Sequence, residues 1–184
     1  MESEAQPARF HDLWNRHAGD VYHFALYLSG DPATAEDLTS EAFLRIWSRW
    51  DRVKWPTVRS YLLAITHNLY RQHTRLIRRE AELDVRMSSP GSLAADAERQ
   101  EELQQAFAAI QQLGETDRAA FLLRIEHELP YEEIAALLKL PLSTVKVKVH
   151  RARLRIAESC HRSVSNELHS KERRSGSAAG ILVG

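Results

Sequence analysis

A chain of 184 residues, 43% hydrophobic and 27% charged, is long enough for one domain or two small ones and has the composition of a folded protein. Its 25 basic and 25 acidic residues cancel, so only a local basic patch, and not the net charge, could indicate a nucleic-acid partner. No apolar run approaches the roughly 20 residues of a membrane-spanning helix, which argues against membrane insertion. The N-terminal residues are polar and acidic, and no secretory signal is expected there.

Cysteine usage and the absence of catalytic motifs limit the chemistry that the chain could carry. The single cysteine, Cys160, excludes an internal disulfide and fits a reducing cytoplasm. Cys160 and His161 are adjacent, but no second ligand pair accompanies them, and a structural zinc site needs four ligands. The sequence has no Gly-rich phosphate loop, nucleophile elbow or HExxH motif. We therefore expect no metal, no cofactor and no enzymatic activity.

The N-terminal half has the pattern of three amphipathic helices. Apolar residues at helical spacing predict helices at 9–28, 33–50 and 58–79. Gly30 is expected to end the first helix, and Pro32 to open the second. The residues expected on the buried faces are Phe10, Leu13, Trp14, His17, Val21, Phe24, Leu28, Ala35, Leu38, Ala42, Ile46, Trp50, Val58, Tyr61, Leu62, Ile65, Leu69 and Leu76. Phe43 and Trp47, one helical turn apart, are also expected to pack in the core.

Turn-forming residues separate this half from a second helical half. The predicted linker is 81–97, and Ser- and Gly-rich residues 163–184 are expected to be disordered. Further helices are predicted from about residue 98, with a stripe of Leu103, Phe107, Ile110 and Leu113 before a break at Gly114, and then at 116–128, 131–138 and 143–158. The predicted fold is all-α, with two small helical domains, 9–80 and 98–160, joined by the flexible linker.

Basic residues are concentrated in two segments that contain no acidic residue, 57–79 and 139–155. The second segment overlaps a pattern typical of a helix-turn-helix: a short helix at 131–138, a turn of about four residues, and a second helix that Ser143 or its neighbour would cap. Small Ala135 allows the two helices to cross closely, and Lys139 occupies a turn position that would suit glycine better. Val145, Val149 and Ala152 fall on the inner face of the second helix.

The outer face of this second helix is basic, as expected of a recognition helix that contacts bases and phosphates. A solvated basic helix in an ordinary bundle would show the same charges. The capped helix-turn-helix pattern together with the missing acids favours DNA binding. The residues left to face outward are Thr144, Lys146, Val147, Lys148, His150, Arg151 and Arg153, with Ser143 at the helix start.

Both halves together resemble the extracytoplasmic-function class of bacterial sigma factors. Residues 31–47 resemble the family's region-two helix, residues 59–70 its promoter-melting segment, and residues 113–153 its region four. The resemblance covers most of the chain, and the two regions occur in the family's order. It implies a protein that binds core RNA polymerase and directs it to promoters, without catalysis.

The resemblance implies that the second helix docks on the coiled coil of the polymerase clamp. Opposite its buried stripe, this helix carries an acidic and apolar strip that would suit a basic partner helix, with Leu44 as the apolar anchor. The alternative to an interface is an ordinary solvent-exposed helix face that includes a single exposed leucine. The candidate polymerase-binding residues are Asp37, Ser40, Glu41, Leu44 and Ser48.

The third helix is expected to recognise and melt the minus-ten element. A flipped base needs polar groups at its edge, and a separated strand needs cations along its backbone. The candidate residues are Asn68, Arg71, Gln72, His73, Arg75, Arg78 and Arg79. The family often has an acidic residue at the position of Gln72, so the base preference there is open. The resemblance also implies that the loop at about 53–57 approaches the flipped base.

Region four is expected to read the minus-thirty-five element through residues 143–153 and to meet the polymerase flap. The family often has arginine at the position of Lys148, which lacks the guanidinium fork for a bidentate contact. The resemblance further implies that the acidic linker residues Glu82, Asp84 and Asp96 thread toward the polymerase active-site channel. It also implies an anti-sigma factor that clamps both domains.

Two other classes of protein remain open. A one-component regulator with a helix-turn-helix output should carry a ligand pocket or a dimerisation helix in its N-terminal half. A sigma-like decoy that captures an anti-sigma factor should have lost the basic recognition helix. Binding of DNA together with polymerase separates these classes.

Overall fold

The computed structural model describes residues 5–53, 57–81 and 97–159, and throughout these ranges the regular structure is helical. The helices are α1 (Ala5–Ser29), α2 (Pro32–Trp47), a 3-10 turn (Trp50–Arg52), α3 (Val58–Ala81), α4 (Ala97–Gln111), α5 (Glu115–Ile125), α6 (Tyr131–Leu138) and α7 (142–159). The all-α prediction is confirmed. The predicted linker between residues 82 and 96, with Glu82, Asp84 and Asp96, and the predicted tail at 163–184, together with Cys160, lie outside the described residues.

The sharp turn between α1 and α2 follows from three consecutive residues. Gly30 has a φ of 77°, a left-handed conformation that glycine adopts without steric cost. Asp31 caps α2, its carboxylate accepting the Thr34 backbone N–H at 2.8 Å, and Pro32 opens the helix. The predicted stop and start are confirmed. At its other end α2 stops at Trp47 rather than residue 50, because the chain turns there and brings Trp50 against Phe10.

The core lies where α1, α2 and α3 pack together and continues without a break into α5, α6 and α7. Most of the predicted inner faces are buried, including Phe24, Ala42 and Leu62, each with no exposed surface. Three of the predicted positions stay exposed: Trp14, Leu76 and Leu103 keep 38%, 57% and 65% of their surface exposed. Leu76 lies toward the C-terminal end of α3 and Leu103 near the middle of α4, although the apolar periodicity includes both.

The helix-turn-helix is present as α6, a turn at residues 139–141, and α7. Ile134 and Leu138 of α6 face Val145, Val149 and Ala152 of α7 within the buried core, as predicted. The first backbone bond of α7 runs from the Val145 N–H to the Pro141 carbonyl, so α7 begins at residue 142. Ser143 therefore lies inside the first turn and does not precede it as a cap.

Lys139 ends α6 in the left-handed conformation, with φ 56° and ψ 47°. Its backbone and that of Leu140 close the helix by donating to the carbonyls of Ala136 and Ala135. A side chain costs about 1 kcal/mol or more in this conformation, whereas glycine adopts it freely.

Replacing Lys139 with glycine should therefore raise the free energy of unfolding by about 1 kcal/mol, measured by urea denaturation. The matched control is Ala136→Gly, an exposed position inside α6. Glycine there should lower stability by about the same amount, because a helix interior penalises its flexibility. If both variants are destabilised alike, the left-handed position carries no strain.

The two halves of the chain pack directly on each other, which the sequence did not predict. Arg118 of α5, only 9% exposed, donates to the carbonyl of Leu28 at the end of α1 at 2.6 Å. Its guanidinium also bonds the Gln111 side chain and the carbonyls of Gln111 and Leu113. Gln111 in turn donates to the Tyr27 carbonyl at 2.8 Å. Because helix C-termini leave carbonyls unpaired, these side chains satisfy the end of α1.

A second junction lies where the loop between α5 and α6 meets α1 and α3. His127 is 3% exposed, and its ring stands edge-on against Phe24 at 5.3 Å between centroids. Arg59 of α3 donates to the His127 carbonyl at 2.8 Å and pairs with Asp20 of α1 at 2.8 Å. Desolvation, with the positive charge of Arg59 as the second cause, lowers the pKa of His127 to about 4.

Candidate polymerase and nucleic-acid interfaces

The outer face of α2 presents the residues predicted to contact polymerase. Asp37, Ser40 and Ser48 are exposed, and Glu41 pairs with Arg45 one turn away at 2.9 Å. Leu44 keeps 60% of its surface exposed, surrounded by these polar groups. An exposed leucine inside an acidic strip is an arrangement that a basic, amphipathic helix can cover.

Aromatic side chains from α1 and α2 cluster beside this face. Phe43 is buried, as predicted, and the Trp14 ring packs against it at 4.6 Å between ring centroids, tilted by 56°. Trp47 contacts Phe10 edge-on at 4.9 Å, yet it retains 39% of its surface exposed, so the prediction of a core position holds only in part. Trp14 is similarly exposed at 38%. Trp47 and Leu44, one turn apart on α2, leave adjoining apolar surface uncovered.

The basic face of α3 is formed by residues that repeat every three or four positions. At about 100° per residue, five of the predicted minus-ten residues, Asn68 included, fall within roughly 60° of Asn68 on the helix circumference. These are Asn68, Arg71, Gln72, Arg75 and Arg79. All except Arg71 are exposed. Polar amide groups and cations therefore share one face of α3, as base and backbone contacts with a single strand require.

Among the predicted minus-ten residues, two lie off this face of α3, and one on the face is already paired with an acidic side chain. His73 lies about 140° around α3 from Asn68. The pKa of Asp31 is lowered mainly by the hydrogen bonds from Thr34, and to a smaller extent by the charge of His73. Arg78, although exposed, lies about 80° away from Asn68 on the helix circumference. Arg71 is half-buried and pairs with Glu115 of α5 at 3.5 Å.

The outer face of α7 carries most of the residues predicted to contact the upstream element. Exposed side chains here are Ser143, Lys146, Val147, His150, Arg151 and Arg153, while Thr144 is half-buried. Val147 keeps 47% of its surface exposed and offers an apolar contact of the kind that thymine methyl groups accept. Lys148 differs, because its ammonium pairs with Asp117 of α5 at 2.5 Å. We therefore expect Lys146 and Arg151 to be the more available cations for phosphate.

In the part of the chain that the structure describes, no helix has both the length and the apolar character needed to cross a membrane. Within the same ranges, no three His, Cys, Asp or Glu side chains come together in the way that metal ligands would. A cleft of about 420 Å³ between α1 and the start of α3 is lined by Arg9, Asp12, Leu13, Arg16, His17 and Val58.

Comparison with known protein families shows which family models these helices match. The model of sigma-70 region 2 matches residues 13–80, and the model of sigma-70 region 4 matches residues 103–156. An all-helical chain with these two regions in this order defines a sigma-70-type transcription initiation factor. Three curated relatives that are 30–34% identical to this chain are each described as an ECF RNA polymerase sigma factor, which narrows the class to that family. The chain belongs to the ECF family of RNA polymerase sigma factors.

Three relatives illustrate the similarity. The chain is 33% identical over 156 residues to the ECF sigma factor SigE of Mycolicibacterium smegmatis, covering 80% of this chain and 60% of that relative. It is 34% identical over 139 residues to SigC of Mycobacterium tuberculosis, covering 73% of this chain and 74% of SigC. It is 30% identical over 141 residues to EcfG of Rhodopseudomonas palustris, covering 73% and 75%. The chain thus spans less than two thirds of the SigE length.

Solved structures share the fold. The sigma factor RpoE of Bartonella quintana, in complex with the anti-sigma factor NepR, superposes with a TM-score of 0.74 at 24% identity. That match covers 82% of this chain and 96% of RpoE. CnrH, in complex with the cytosolic domain of CnrY, superposes with a TM-score of 0.59 at 22% identity, covering 81% and 85%.

Proposed function

We propose that this protein binds core RNA polymerase and directs it to promoters with a minus-ten and a minus-thirty-five element. The observation that supports this most directly is the occurrence of regions 2 and 4 on one chain, each with an exposed basic helix face. The α2 face around Leu44 docks on the polymerase clamp, the α3 face around Asn68 holds the melted minus-ten strand, and α7 enters the major groove upstream.

The protein acts by binding, in the cytoplasm where polymerase and DNA lie, and not by catalysis. Control by an anti-sigma factor is part of the proposal, because the similar structure of RpoE was solved in complex with the anti-sigma factor NepR. The retained basic face of α7 argues against a decoy that only captures an anti-sigma factor.

Run-off transcription tests this function. Core polymerase is supplied with a genomic promoter library, with and without the protein. Transcripts that depend on the protein and share two upstream motifs are the expected result. A stable complex with polymerase but no transcripts would favour a decoy or a factor that needs an activator. Neither transcripts nor polymerase binding would favour a plain helix-turn-helix regulator.

Exposed cations on α7 should set the salt dependence of upstream binding. Replacing Lys146 and Arg151 with alanine should weaken binding to a duplex with the upstream element similarly for all sequences. The slope of log affinity against log salt should become less negative by about 2, because each phosphate contact contributes about 0.9. Titration at several salt concentrations measures the slope. Arg9→Ala, an exposed arginine on α1, is the control. An unchanged slope for the double variant contradicts the phosphate role.

A further inference from the structure

The outer face of α7 has an apolar side chain, Val147, near its centre. The buried residues of this helix lie about 140° to 160° around its circumference from Val147, and they are Val145, Val149 and Ala152. Val147 therefore points almost directly away from the protein core, and 47% of its surface is exposed. When a recognition helix lies in the major groove, a side chain with this direction faces the edges of the bases.

The two lysines next to Val147 in the sequence point to its sides. Lys146 and Lys148 each lie about 100° around α7 from Val147. The Lys146 ammonium lies 5.9 Å from the centre of the Tyr131 ring, at the start of α6, and the Lys148 ammonium pairs with Asp117 of α5 at 2.5 Å. Side chains directed sideways face the phosphates along the groove and not the base edges. Neither lysine therefore places a polar group between Val147 and the bases.

The chemistry of the major groove determines which base an apolar side chain can recognise. Guanine, cytosine and adenine present only hydrogen-bond donors and acceptors there, whereas thymine presents a carbonyl oxygen and a 5-methyl group. A valine packed against a polar edge would remove a donor or acceptor from water without giving it a partner, which lowers affinity. A valine packed against the thymine methyl group buries apolar surface on both partners, which raises affinity.

We propose that Val147 selects a T·A base pair in the upstream element by packing against the 5-methyl group of the thymine. The inference rests on the proposed function, in which α7 enters the major groove, and it adds the identity of one base and the residue that reads it. In this arrangement Lys146 and Arg151 contribute affinity through phosphates, without discriminating between bases. The preference for thymine should therefore stay constant as salt is raised, while the total affinity falls.

Exchange of thymine for uracil tests the contact. The holoenzyme is formed from core polymerase and the full chain, and the DNA is a promoter fragment selected by run-off transcription. Each thymine of its upstream element, on both strands, is replaced in turn by deoxyuridine, which lacks only the 5-methyl group. At one position the replacement should weaken holoenzyme binding about fourfold, the effect of burying one methyl group. An upstream element without a T·A pair, or without a thymine whose methyl group affects affinity, overturns the proposal.

The variant Val147→Ala connects the methyl effect to this side chain. Alanine is shorter by two methyl groups, so the variant should bind the thymine and uracil fragments within about 1.5-fold of each other. The helix stays folded, because alanine favours helix more than valine does. Leu154→Ala is the matched control, since Leu154 is 51% exposed on the same face of α7 but two turns beyond Val147. That control should keep the fourfold loss, and a fourfold loss in Val147→Ala as well overturns the proposal.

A methylated cytosine separates contact with the methyl group from an effect of DNA shape. The sensitive thymine is replaced by cytosine and by 5-methylcytosine, and the second fragment should bind the holoenzyme about fourfold more tightly than the first. Equal binding of the two contradicts recognition of a methyl group. If the holoenzyme selects no promoter fragment, the proposed function and this inference fail together. Promoter-specific transcripts with no methyl effect at any position retain the function and remove Val147 from base recognition.

Discussion

Replacing Leu44 with aspartate should weaken binding to core polymerase at least about thirtyfold while the protein stays folded. Leu44 is 60% exposed at the centre of the α2 face, so the substitution removes little buried surface and should change the free energy of unfolding by no more than about 0.5 kcal/mol. An apolar anchor at the centre of an interface commonly contributes 2 kcal/mol or more, which corresponds to about thirtyfold in affinity. A buried aspartate without a partner would add a desolvation cost.

Titration of labelled protein with core polymerase measures the affinity, and urea denaturation checks the fold. Leu103→Asp is the matched control, since Leu103 of α4 is a leucine of similar exposure, 65%, outside the α2 face. We expect that control to bind polymerase like the parent. Binding of Leu44→Asp at the parent's affinity would remove α2 from the polymerase interface and leave Leu44 an ordinary exposed leucine.

Local features of this fold could be predicted from sequence because each is encoded within a few residues. The turn at Gly30 and Pro32 depends on two adjacent backbone preferences, and both helices of the helix-turn-helix follow from periodicity around Ile134 and Val149. The left-handed Lys139 could likewise be anticipated, because the turn geometry of the motif demands that conformation whatever residue occupies it.

Tertiary contacts between the halves could not be predicted in this way. Arg118 and Leu28 are 90 positions apart, and Arg59 and His127 are 68 apart. Nothing in their local sequence distinguishes these arginines from exposed ones, since an arginine in an amphipathic helix usually reaches solvent. Apolar periodicity also predicted burial where there is none, since it includes Leu76 and Leu103, whose side chains are exposed.

For the candidate DNA-binding faces too, local features could be predicted from sequence and tertiary contacts could not. Residue type and spacing placed Asn68, Gln72 and Arg75 on one face of α3, and that placement needs only helical geometry. The pairing of Lys148 with Asp117 and of Arg71 with Glu115 depends on where α5 packs, and this information is not local. Sequence therefore predicted which residues could contact DNA, while the structure shows which cations are already paired.

The contribution of the buried histidines to stability should fall on acidification well above the pH range in which most carboxylates titrate, because these side chains gain a proton more readily in the unfolded chain. His67 of α3 is 3% exposed, and desolvation, followed by the charge of Arg71, lowers its pKa to about 4. The pKa of His127 is lowered to about 4 as well, and burial lowers the pKa of His17. In the unfolded chain a histidine titrates near 6.5.

The sign of the effect follows from the number of protons bound. Between pH 6.5 and 4 the unfolded state binds more protons at these histidines than the native state, so their contribution to stability falls as the pH falls. Above pH 6.5 both states are neutral and the contribution is constant. For a histidine whose pKa drops from 6.5 to about 4, the loss between pH 7.5 and pH 5 is about 2 kcal/mol.

His67→Gln separates this contribution from those of other groups, because glutamine keeps polar atoms at the site but cannot be protonated. Urea denaturation of parent and variant at pH 7.5 and pH 5 should show that the variant loses about 2 kcal/mol less on acidification. His11→Gln, at an exposed position of α1, should follow the parent at both pH values. If His67→Gln loses as much stability as the parent, His67 gains its proton in the native state without cost, and its burial does not disfavour the charged ring.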